Sequence, residues 1–175
     1  MSRRIKLTAA GYRRYWAAYE AGGIVDPDKA PSGLMELARQ ADVIFASIRQ
    51  RAVETAEAVV QGRHFIRDAM FVEAPLPPPY WPAWIKLSPR NWGVVARAYW
   101  YFGRNDGLET RREAEARARA AAARLSTETD LGQHVLLVAH GYFNLMVARE
   151  LKRLGWKLVW GRGYKYWSTR RFIRP

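Results

Sequence analysis

Hydrophobic and polar positions change period several times along the chain, and each change marks an element. From Thr8, the run LTAAGYRRYWAAYEAGG sets Tyr12, Tyr15, Trp16 and Tyr19 at helical spacing behind a threonine suited to cap a helix start. Gly22-Gly23 ends it, so the pattern predicts a helix with one aromatic face. Val25 to Ser32 is turn-rich through Asp26-Pro27 and Pro31-Ser32, and Leu34 to Gln40 predicts a short helix. The period then breaks. VIFAS, Val43 to Ser47, has the length and apolarity of a strand covered on both faces, and Arg51 to Gln61 returns to helix-forming residues. A second strand is expected at Ala69 to Glu73, after which Pro75, Pro77, Pro78, Pro79 and Pro82 exclude regular structure from a loop that also carries Trp81 and Trp84. Trp92 to Phe102 reads as a surface or lid helix. Thr110 to Leu125 reads as a helix whose Glu109, Glu113 and Glu115 precede Arg112, Arg117 and Arg119 by three or four residues, its charge largely a solvated face. VLLVA, Val135 to Ala139, is the clearest buried strand and runs through His140-Gly141 into a helix from Phe143 to Leu154. Lys157 to Trp160 and Tyr164 to Ile173 read as edge strands.

Strands alternating with helices predict an α/β fold, a three-layer sandwich around a mostly parallel central sheet. The length of 175 residues, 49% of them hydrophobic, fits a single domain over 1–175 and is short for two. In open α/β sheets ligands bind beyond the carboxyl ends of the strands. That rule singles out Ser47 leading to Arg51, and Ala139 leading to His140-Gly141.

Charge narrows the partners. Twenty-nine lysines and arginines against sixteen acidic residues give +13, a field that favours phosphorylated metabolites, nucleic acid or an anionic membrane face. The absence of cysteine excludes disulfides, thiolate metal sites and cysteine nucleophiles, and fits a reducing, cytoplasmic setting. No apolar run approaches the roughly 20 residues of a membrane span, and the basic N-terminus, MSRRIKLTAAGYRRY, lacks a following hydrophobic stretch. Three dispersed histidines without cysteine give no metal-ligand spacing, so neither metal nor cofactor is expected.

The two strand ends carry candidate chemistry. In SIRQRAVETAEAV, Arg51 opens a helix, where a guanidinium can fork two donors onto a phosphate and backbone N–H groups add to the attraction. In VLLVAHGYFN, Gly141 lets the backbone turn while the His140 imidazole faces the same crevice. Glu73, at the end of FVE, is a candidate proton donor. The plainer alternatives are a structural hydrogen bond for His140 and a solvated loop carboxylate for Glu73. For the aromatic stretches the default is packing, which needs no cofactor.

These segments together resemble the histidine phosphatase, or phosphoglycerate-mutase-like, superfamily. Its Leu-Thr-x-x-Gly segment is matched by Leu7 to Gly11, its Ser-x-x-x-Arg-Ala-x-x-Thr-Ala by Ser47 to Ala56, its glutamate after the next strand by Glu73, its Gly-Glu-Ser-like helix start by Gly107 to Thr110, and its late His-Gly by His140-Gly141. The tryptophan-rich middle and Lys165 to Ser168, KYWS, resemble a bacterial branch. The resemblance implies a phosphate pocket of Arg51, His140 and Gly141, with His140 and Glu73 as catalytic-type residues. It also implies a phosphorylated small molecule or other anion as partner, and residues 75–102 as an aromatic, proline-rich cap insertion.

One departure bears on activity. Active members carry a first strand ending in Arg-His-Gly, whose histidine attacks phosphorus; here only MSRRIK precedes Leu7, so that strand is expected to be missing, and Arg-His-Gly occurs nowhere in the chain. Arg63-His64-Phe65 imitates it but follows the helix after Thr55-Ala56, with phenylalanine in place of glycine. The expected function is therefore binding or hydrolysis of a phosphate monoester, impaired for want of the nucleophile. The alternatives are a catalytically dead, phospho-ligand-binding relative and, less favoured, a nucleic-acid binder using the basic aromatic tail GRGYKYWSTRRFIRP, which matches no recognisable nucleic-acid motif.

Overall fold

The structure, a computed structural model, describes residues 5–26, 30–161 and 166–175. The expectations placed on Pro27, on Tyr164 and on Lys165 of KYWS lie outside the described residues. The chain gathers into two compact units, one of Met1–Gly22 with Ala74–Ala114, the other of Gly23–Glu73 with Glu115–Pro175.

In the first unit, α1 (Ala9–Ala21) begins where Thr8 accepts a hydrogen bond from the Gly11 N–H at 3.1 Å, the capping that the sequence predicts. Its aromatic face packs on α4 (Pro89–Tyr101): the Tyr12 ring lies 6.0 Å from that of Trp92, whose indole N–H donates to the Leu7 carbonyl at 2.7 Å. Residues 75–102 thus pack with α1. Trp92, Ala96 and Trp100 are fully buried, so α4 is more than a surface helix. Arg97, which breaks its apolar run, donates to the carbonyls of Ala74 and Pro75.

The second unit is the α/β body. Its strands β1 (Val43–Ser47), β2 (Ile66–Asp68) and β3 (Val135–Val138) form a parallel sheet in the order β2-β1-β3, with Phe45 opposite both Ile66 and Leu137. Alternation along β1 divides the core. Ile44 packs with Ala38 of α2 (Ser32–Gln40) and Val59 of α3 (Gln50–Val60); Phe45 packs with Ala118, Ala121 and Ala122 of α5 (Arg111–Asp130) and with Phe143 and Val147 of α6 (Gly141–Arg153). This is the expected sheet between two helical layers. β1, with a strand on each side, is buried from Ile44 to Ser47; β3, at the edge, is half-buried throughout.

The second strand differs from the expectation of Ala69 to Glu73. It ends at Asp68, whose carboxylate accepts the Met70 N–H at 2.7 Å and turns the chain into a 3-10 turn over Ala69–Phe71. The turn lets Phe71 pack against Phe45, with ring centroids 5.5 Å apart. The α5 helix also runs five residues beyond the expected Leu125. β4 (Lys157–Trp160) and β5 (Arg171–Ile173) pair antiparallel with each other as a separate two-stranded sheet. The last described residues are pinned to α5, where the Ser126 hydroxyl accepts from the Trp156 indole and the Arg174 guanidinium, both at 3.2 Å.

Candidate functional site

Because β1 and β3 are parallel neighbours with Ala46 opposite Val138, their carboxyl ends bring Ser47 and His140 together. The His140 Nε2 and Ser47 Oγ lie 2.8 Å apart, and both residues are buried, His140 at 5% exposure and Ser47 at 0%. Ser47 Oγ also accepts the Arg49 N–H at 3.4 Å, tying the strand end to the turn that leads into α3. Arg49 is the residue before that helix and makes no side-chain cap, and Arg51 lies in its first turn.

The electrostatics of His140 follow from this placement. Burial disfavours the charged ring, and the positive charges of Arg51, Arg49 and Arg117 reinforce that effect in that order, bringing its pKa from 6.5 down to about 3. At neutral pH His140 is an uncharged imidazole inside a cationic field. A phosphoryl dianion placed there would meet guanidinium charge and a ring able to donate or accept a hydrogen bond.

Glu73 belongs to the same corner. Its two carboxylate oxygens accept the N–H groups of Tyr142 at 3.2 Å and Phe143 at 2.8 Å, so it caps α6, for which His140 makes no side-chain cap. The start of α6 is thus already served by a resident carboxylate. Gly141 has no positive φ, which removes the conformational reason the sequence suggests for it. A Cβ added at Gly141 would meet nothing within 4 Å, so what glycine provides there is open space beside His140.

Two arginines of α5 hold the segment leading to Glu73. Arg124 pairs with Asp68, and Arg117 donates to the carbonyls of Met70 and Val72, both at 2.8 Å, with its guanidinium 4.0 Å from the centre of the Phe143 ring. The expectation of a largely solvated charged face on α5 does not single these two out. The signal was present: Arg117 and Arg124 fall at helical spacing within the buried stripe of Ala118, Ala121 and Leu125. Arg63 is likewise structural, since its guanidinium donates to the carbonyls of Ala38, Arg39 and Ala41 at the end of α2, and His64 beside it is exposed. His134 is exposed too, as its position before β3 suggests. Among the described residues no group of three or more histidine, aspartate or glutamate side chains is gathered as metal ligands would be, and no helix is long and apolar enough to cross a membrane.

Comparison with known proteins places this geometry. Among solved structures, a protein described as mycobacterial hydrolase 1 is similar at a TM-score of 0.55 and 22% identity, covering 91% of each chain. Mycobacterial hydrolase 2 is similar at 0.54 and 21%, covering 95% of this chain and 76% of the other. These likenesses concern the fold. The curated proteins contain no match. The family model for the histidine phosphatase superfamily, branch 1, matches residues 33–172, a span holding both strand ends, Arg51, Glu73 and His140-Gly141; the chain belongs to that superfamily.

Proposed function

We propose that this chain binds a phosphate monoester beside His140, with Arg51 as its principal cation and the space over Gly141 admitting the phosphoryl group. The observation that carries the reading is a buried, uncharged histidine on which three arginines act together. Burial and guanidinium charge keep the ring neutral, and an arriving dianion is attracted by the same three positive charges. Arg51 offers two parallel donors to the phosphoryl oxygens, and Arg49 and Arg117 add charge. His140 can hold a third oxygen once its ring turns from Ser47 or shares that bond. Glu73 faces the same helix start and is the candidate acid for the leaving oxygen. While Tyr142 and Phe143 hold its carboxylate it serves as the α6 cap, and acid catalysis requires that it carry a proton.

Hydrolysis in this superfamily uses the histidine of Arg-His-Gly, and residues 1–175 contain no such motif. The pocket half of the machinery is therefore assigned to these residues and the nucleophile is not, so the 175-residue chain is expected to bind phosphate with little turnover.

Thermal unfolding with phosphate, sulfate or vanadate tests the reading, since a ligand that prefers the native state raises Tm by mass action. Arg51→Ala should remove most of the shift, whereas Arg171→Ala, in the exposed hairpin, should leave it nearly intact. Equal losses in both variants, together with abolition by chloride, would reduce the effect to net charge. Rapid hydrolysis of p-nitrophenyl phosphate, lost in His140→Ala, would reveal a nucleophile that this reading lacks.

A further inference from the structure

The C-terminal part of the chain concentrates charge that the phosphate pocket does not use. From Leu131 to Pro175 there are nine lysines and arginines against one acidic residue, Glu150. Glu150 is buried on α6 with its carboxylate 2.6 Å from Arg153, so the one negative charge in the segment already has a cation.

Within this segment α6 and the β4–β5 pair border an open groove of about 210 Å³. From α6 come Leu145, Ala148, Arg149 and Lys152, spaced so that they form one stripe, distinct from the Phe143 and Val147 stripe that faces the core. From the hairpin side come Leu158, Arg170 and Phe172. The floor is apolar, cations stand on both walls, and among the described residues no acidic side chain lines it.

That combination selects a ligand chemistry. An inorganic ion would gain nothing from the apolar floor, and a neutral hydrocarbon nothing from the cations. The groove has room for a headgroup and a short body. We infer that the groove binds a small amphipathic carboxylate, its head between Arg149 and Lys152 on one wall and Arg170 on the other, its hydrocarbon or aromatic body on Leu145, Leu158 and Phe172. Arg149 and Lys152 lie nine and twelve residues along α6 from His140, about 14 and 18 Å at ~1.5 Å per residue, so this site is separate from the phosphate pocket and does not depend on it.

The probe is octanoate, titrated calorimetrically into the 175-residue chain beside octyltrimethylammonium, which has the same tail and the opposite charge. Octanoate should bind and the cation should not. The double variant Arg149→Glu/Lys152→Glu should weaken octanoate at least about tenfold, as expected when attraction at the head becomes repulsion. Arg149→Gln/Lys152→Gln, which keeps the side-chain length without charge, should fall between. Arg149 and Lys152 are both exposed on α6, and circular dichroism melts verify that each variant folds. Protection by inorganic phosphate through Arg51 should be unchanged in all of them, so this inference and the phosphate-pocket reading fail independently. Equal binding of octanoate and the cation, or octanoate affinity indifferent to charge reversal, overturns the inference. So does strongly salt-dependent binding of a single-stranded oligonucleotide without any octanoate binding, which would make the surface a nucleic-acid face.

Discussion

Replacing His140 by glutamine should remove a pH dependence that the wild-type chain carries. The ring is buried at 5% exposure, and its pKa lies at about 3 in the fold against 6.5 as a free side chain, through burial first and then Arg51, Arg49 and Arg117. A folded pKa below the unfolded one means that, between those values, the unfolded chain takes up a proton that the folded chain refuses. Stability from this group is therefore complete above about pH 6.5 and is lost as pH falls toward 3, with a slope of about 1.4 kcal/mol per pH unit across that window. Between pH 6.5 and 4.5 the loss is about 2–3 kcal/mol. Glutamine reaches Ser47 with an uncharged amide and does not titrate. Carboxylates such as Glu54 and Glu113, whose pKa values are lowered by hydrogen bonds from Ile24 and from Thr110, also lose their contribution as pH falls, but they are common to both proteins and cancel in the difference. Urea unfolding of wild type and His140→Gln at pH 6.5, 5.5 and 4.5 gives that difference directly, and NMR titration of the imidazole gives the pKa. Parallel pH profiles for the two proteins, or a ring that titrates near 6.5, would refute the reasoning. Bound phosphate offsets the three arginine charges, so the same NMR titration with saturating phosphate should show the ring pKa moving up.

Gly141→Ala separates space from backbone: with no positive φ and nothing within 4 Å of the new methyl, the fold should hold or gain up to about 1 kcal/mol, while the Tm shift with vanadate shrinks because the phosphoryl site is narrowed. Ser47→Ala leaves His140 Nε2 buried without its partner and should cost about 1–3 kcal/mol in chemical denaturation; Ser47→Thr, which restores the hydroxyl, should recover part of it. Arg117→Met frees the carbonyls of Met70 and Val72 and lessens the positive field at His140, so amide hydrogen exchange should quicken at Met70 to Glu73 and at the start of α6, and the His140 pKa should rise by NMR.

Local pattern was sufficient wherever one element decides its own fate. Val43 to Ser47 is a strand because a short apolar run must bury both faces, Val135 to Val138 pairs beside it but, as the edge strand, is half-buried where the sequence predicts full burial, and α1 begins at Thr8 because a threonine hydroxyl is within reach of its own third amide. The motif order set candidate residues at the carboxyl ends of two strands, and the parallel pairing of β1 and β3 brings those strand ends together. Other features depend on residues far apart in sequence, which no local period encodes. Strand β2 stops at Asp68, whose local turn onto the Met70 amide is held by the Arg124 guanidinium of α5, and the expected strand from Ala69 gives way to a turn. Arg117 and Arg63 look like surface charge until carbonyls from other elements arrive at their guanidinium groups. Glu73 is a loop carboxylate in sequence and the cap of α6, some seventy residues on, in the fold. The charge state of His140 was the least legible feature: it is set by burial and by the charges of Arg51, Arg49 and Arg117, an environment that exists only once the elements carrying them have packed together.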